Sequence, residues 1–204
     1  MAPRSVLQSV AAMRTCGELV PGALEDLLDG FGLELRWIGE GRPIPGSHWG
    51  EPEAGLLGSA VFVRADTPVH SALHEASHSI CMGAERRGRL DTDAGGDDLE
   101  ECAVCYLQVL LADELRGVGS ERLMEDMDAW GYSFRLGSTR EWWRHDAAEA
   151  RSWLIERGMV DAGGRLLRPV RAPGASRSLG PCAEARQPGV LREGPPSPAG
   201  RGSR

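Results

Sequence analysis

Two histidines four residues apart, with a glutamate after the first, stand in HSALHEASH (70–78) as His74, Glu75 and His78, the pattern HExxH. On a helix, residues four apart lie one above the other on the same face. His74 and His78 would then offer imidazole nitrogens to one metal ion, with Glu75 beside them facing a reacting water. The local context predicts that helix. Asp66 or Thr67 can cap it, Pro68 suits a first helical position, and no breaker follows before Gly83. The chemistry implied is metal-assisted hydrolysis, with Zn2+ as Lewis acid and Glu75 as general base.

A catalytic zinc takes three protein ligands and keeps a fourth position open. The next source of a ligand is DDLEECAVCYLQVLLADEL (97–115), read as a helix with acidic residues in its first turn, where the helix dipole favours them. Glu101 opens its apolar stripe and is the candidate third ligand, with Glu100, on a face rotated by one residue, as the alternative. The segment also carries a rival. Cys102 and Cys105 form a CxxC that, with His74 and His78, would make a closed Cys2His2 structural zinc in a non-enzymatic module. Such pairs usually sit on tight turns, whereas CAVCYLQVLL reads as helix interior, where cysteines behave as small core residues. A thioredoxin-like role lacks the preceding strand it needs.

Other residues fall around this nucleus. His70 extends the histidine row by one turn, and Asp91, Asp93, Asp97 and Asp98 are candidates to orient the ligands. Downstream, Tyr132 and His145 are candidate donors to a developing oxyanion, with Arg135 between them. Trp142, Trp143 and Trp153 read as core.

These residues need a scaffold, and proline marks it out. Six prolines lie in residues 1–68, none in 69–168, and seven in 169–204. The proline-free stretch is free to be helical: from the first helical residue Pro68 up to the breaker Gly83, then 97–115, 120–130, and a long helix from a Ser138–Glu141 capping box to about Arg157, stopped by Gly158. Before it, short helices fit 5–14 and 23–31, strands fit 33–38 and 59–64, and the Gly/Pro-rich 39–55 reads as loop. The expected fold is α+β: a mostly helical domain over residues 1–169 with a small β layer and the metal site between two helices. Residues 170–204, rich in Pro, Gly, Ser and Arg, read as a disordered tail.

Charge narrows the partners. The 204 residues carry a net charge of −7 and all 23 basic residues are arginine. Six Arg against two Glu from Arg171 onward leave residues 1–170 at −11. An acidic body argues against nucleic acid, and no stretch approaches the ~20 apolar residues of a membrane span. Gln8 and Arg14 interrupt the N-terminal apolar run, against a signal peptide. Five cysteines without framework spacing fit a reducing, cytoplasmic compartment. The expected partner is a protein or peptide substrate, and the oligomeric state is open.

The five-residue motif with a downstream Glu resembles the zincin metallopeptidases of gluzincin type, in which two histidines of one helix and a glutamate of the next hold zinc. The longer metzincin pattern is not met, since Cys81 and Ala84 stand at its Gly and His positions. A narrower stretch, SALHEASHSICMGAERRGRLD (71–91), resembles the bacterial elongation factor P hydroxylase family. The shared residues are Ser71, Ala72, His74, Glu75, Ser77, His78, Gly83, Arg86, Arg87 and Asp91. That resemblance implies a zincin-like fold with a His-His-Glu iron centre (Fe2+ in place of Zn2+) that hydroxylates a modified lysine. Where the family continues with an aromatic stretch into Pro-Asp-Gly-Arg, this chain reads TDAGGDDLEE.

Overall fold

Alternating and β-branched residues in the first third of the chain build a small sheet, and the proline-free remainder folds as helices. The computed structural model describes residues 13–47, 50–88 and 96–168. A 3-10 turn (Cys16–Glu18) and helix α1 (Ala23–Asp29) lead into β1 (Glu34–Trp37), β2 (Gly55–Leu57) and β3 (Ala60–Val63). Helices α2 (Val69–Cys81), α3 (Ala84–Gly88), α4 (Asp98–Asp113), α5 (Gly119–Trp130), α6 (Thr139–His145) and α7 (Ala148–Glu156) follow. The fold is α+β. No helix among the described residues is long and apolar enough to cross a membrane.

The strands lie in the order β1-β3-β2, with β1 parallel and β2 antiparallel to β3. β3 is central, so Val61 and Val63 are fully buried. Beyond it, the Arg64–Thr67 turn is closed by Arg64 N–H donating to Thr67 Oγ1 at 2.9 Å. The buried Arg64 guanidinium donates to Asp66, to Glu51 and to the Arg42 carbonyl, tying the long 38–54 connection to the strand end.

α4 is buried on most sides, with Ala103, Val104, Leu107, Val109, Leu111 and Ala112 at 0% exposure. A helix apolar all round belongs in the interior, and α4 packs against α2, α5 and α7. α2 also rests on β2 and β3, so it is held between the sheet and the central helix.

Several expectations shift. Pro68 is the N-cap of α2 rather than its first residue, because it is extended (ψ 138°) and bridges Thr15. Thr67, expected as a cap, instead serves the turn before it. The helix expected to run from Pro68 up to Gly83 ends at Cys81, where Met82 turns extended, and the short α3 follows. The single helix expected from Ser138 to Arg157 is two. Ser138 does cap it, accepting from Glu141 N–H at 3.2 Å. Asp146 (φ −135°), bound through its carboxylate to Arg135, then breaks the helix between α6 and α7. β2 is not among the expected strands: the loop expected over 39–55 ends on its first residue, Gly55. The helix expected over 5–14 falls outside the described residues except for Met13 and Arg14, which are not helical, and the tail reading for 170–204 lies wholly outside them.

β2 exists because glycines let a turn press on it. A Cβ on Gly55 would sit 2.0 Å from the Pro45 carbonyl oxygen and 2.7 Å from Ser47 N, both backbone atoms. Gly55→Ala should therefore destabilise the protein by about 3 kcal/mol, the upper part of the overpacking range, read as a lower urea midpoint. Gly83→Ala, with nothing within 4 Å of the new methyl, is the control and should move the midpoint little.

Candidate metal centre

α2 forms because HSALHEASHS contains no breaker and one of its faces is apolar. Val69, Ala72, Leu73 and Ala76 are fully buried. Its serines fix the helix in place: Ser71 Oγ accepts from Ala54 N–H at 2.9 Å, Ser77 Oγ–H donates to the Leu73 carbonyl at 2.8 Å, and Ser79 Oγ–H reaches the Gly58 carbonyl at 3.4 Å. α4 starts where Asp97 caps it, its carboxylate accepting from Glu100 N–H at 2.8 Å. Packing α2 on α4 sets two rows of side chains against each other: His70, His74 and His78 from one helix, and Glu101, Cys105 and Gln108 from the other.

Three donors converge between them. His74 Nε2 and His78 Nε2 are 3.1 Å apart, and each lies 3.4 Å from one oxygen of Glu101. Ligands at 2.0–2.1 Å around a tetrahedral ion would be about 3.3 Å from one another. His74 Nδ1 lies 2.8 Å from Gln108 Oε1, while Gln108 Nε2 donates to Met127 Sδ at 2.9 Å. A carbonyl oxygen only accepts, so His74 Nδ1 carries a proton, and Nε2 is the ring nitrogen that faces His78 and the Glu101 carboxylate. His78 Nδ1 is buried with no hydrogen-bond partner among the described residues. The donor set fits a metal ion.

Glu75 is partly buried beside this group. Burial pushes its carboxyl up to about 8, with the Glu53 and Glu101 carboxylates adding to the effect; a bound cation would act in the opposite sense. Tyr132 is brought in by the left-handed Gly131 (φ 114°), which ends α5 and turns the chain back. Its ring meets His70 at 5.7 Å and His74 at 6.0 Å. Burial raises its phenol well above the usual range, while the Gln108 side chain hydrogen-bonded to it pulls the other way.

Other candidates lie elsewhere. Glu100, rotated away from Glu101, is buried in an ion pair with Arg86. His145 is 64% exposed, its ion-pair partner is Glu141 at 3.9 Å, and it is not part of the converging group. Arg135 pairs with Asp146 on the surface. Asp98 is exposed on the first turn of α4, and Asp91 and Asp93 lie outside the described residues. Trp142 and Trp153 are buried, and Trp143 stacks on Tyr106. Gln108 and Glu53 were not singled out from sequence. Gln108 was legible in principle, being seven residues after Glu101 and so on its face.

Comparison with family models, with curated proteins and with solved structures finds no match for this chain. The site is therefore read from its own residues.

His70 is 1% exposed, and neither ring nitrogen has a hydrogen-bond partner among the described residues. Its ring packs on Trp130 at 5.2 Å. Burial, helped by His74, lowers its pKa to about 3. Below pH 6.5 the unfolded chain protonates His70 while the folded protein does not, so stability falls with pH from 6.5 toward 3. Between pH 6.5 and 5 this single group should destabilise metal-free protein by about 2 kcal/mol. Urea unfolding at both pH values, compared with His70→Phe, isolates it, and equal pH dependence in the two proteins would refute it.

Proposed function

We propose that this chain is a zinc-dependent hydrolase of metallopeptidase type, with a zincin-like arrangement in which His74, His78 and Glu101 hold the ion. The observation that carries the reading is the set of 3.1, 3.4 and 3.4 Å separations among these donors. Zinc in such a site is a Lewis acid that polarises a carbonyl and lowers the pKa of water toward ~7. Gln108 fixes the His74 tautomer that leaves Nε2 free to bind. Glu75, adjacent to the same pocket, takes a proton at its carboxylate and passes it to the leaving amine. Tyr132, held neutral by burial, offers an O–H for the developing oxyanion. The substrate is a protein or peptide.

Two histidines and one carboxylate are equally the ligand set of mononuclear iron oxygenases. With the similarity of 71–91 to elongation factor P hydroxylases, this supports an iron hydroxylase as the second reading. The Cys2His2 alternative draws less support, because Cys105 has its sulfur near the group whereas Cys102 is not part of it.

Elemental analysis of anaerobically purified full chain tests these readings. About one zinc per chain is expected, held more weakly in Glu101→Ala. Glu75→Gln should keep the metal while peptide hydrolysis drops ~10²- to 10⁴-fold. Iron in place of zinc, or zinc affinity unchanged in Glu101→Ala, would overturn the hydrolase site as drawn.

A further inference from the structure

Beyond the three donors, a further ligand-bearing side chain lies beside Glu101 and His74. Cys105 stands four residues after Glu101 and therefore one turn above it on the same face of α4. The ligand atoms of His74, Glu101 and Cys105 all lie within 4.8 Å of one another. Cys105 Sγ is 4.0 Å from Glu101 Oε1, with the thiol directed at the carboxylate. A zinc ion with sulfur at 2.3 Å and oxygen at 2.0–2.2 Å would place the two about 3.5 Å apart, closer than they stand here, and His78 is not in the 4.8 Å group, so ligation by all four needs the sulfur to move toward the histidines. The thiol is 5% exposed. Its other role, as a small core residue, would not require it to face the converging nitrogens and carboxylate.

Resting on the metal centre proposed above, we propose that Cys105 is a fourth protein ligand, so that the resting site is a closed His74–His78–Glu101–Cys105 set with two ligands from each helix. Closure changes how the centre works. A catalytic zinc needs one position open, whereas four protein ligands mark a structural or latent one. Cys105 fills that position at rest and must leave before a substrate carbonyl can approach, so the sulfur gates the hydrolase. As the sulfur–metal bond forms, the thiol proton passes to solvent and nothing is oxidised.

Titrating metal-free full chain with cobalt(II) separates this inference from the reading beneath it. Visible d–d absorption reports that the ion is bound, and an intense near-ultraviolet thiolate-to-cobalt band reports sulfur in its shell. Wild type should show both, and Cys105→Ser should lose the near-ultraviolet band while keeping visible absorption. Visible absorption without the sulfur band in wild type overturns the fourth ligand and leaves the three-ligand site standing. No visible absorption in wild type removes the metal centre, and this inference with it. Should Cys105→Ser fail to fold, the band must persist in each of Cys16→Ser, Cys81→Ser, Cys102→Ser and Cys182→Ser. Its loss in any one of these assigns the sulfur elsewhere and overturns the proposal.

Discussion

The packing of α2 against α4 is the contact on which the rest of the centre depends. Each helix carries chemistry-bearing residues at four-residue spacing, but one helix alone presents only a row of side chains. Laid together, the rows enclose a point toward which His74 Nε2, His78 Nε2 and Glu101 all face. The contact is fixed by apolar burial on either side of the polar seam. Val69, Ala72, Leu73 and Ala76 lie under α2, and Val104, Leu107 and Leu111 lie under α4. A rotation of either helix would expose those residues, so the hydrophobic core sets the aim of the histidines.

The polar seam gathers the half-buried His74 imidazole, the buried His78 imidazole, whose Nδ1 has no hydrogen-bond partner among the described residues, and the half-exposed Glu101 carboxylate that meets both. Burial and neighbouring carboxylates push the Glu75 carboxyl up, and burial with nearby positive charge pushes His78 down to about 3. Both shifts are what removal from water does to groups that have no counter-charge. One exception shows the difference a partner makes. Glu100 is buried, unlike its half-exposed neighbour Glu101, and it is held by the Arg86 guanidinium.

Surrounding elements serve this seam at a distance. Arg64 anchors the long connection between β1 and β2, and that connection in turn delivers Ala54 N–H to Ser71 on α2. Gly131 turns Tyr132 back against His70 and His74. The sheet is small, but it forms the floor on which α2 sits.

Much of this was legible in the sequence, for local reasons. The α2 helix, its i,i+4 histidines, the acidic start of α4 and the central β3 follow from spacing, capping and periodicity, which act over a few residues. Glu101 and Glu100 could not be separated that way, since a 100° step on a helix has meaning only once a neighbour defines which direction is inward. Likewise, Gln108 becomes a partner of His74, and Cys105 parts company with Cys102, only when α2 is in place. The break between α6 and α7 at Asp146 needed Arg135, eleven residues away. β2 needed the 44–47 turn to fold over Gly55. What the sequence determined by itself was which residues can share a helix face. Which faces meet was decided by tertiary structure, because burial of the apolar surface, summed over the whole core, sets helix rotation.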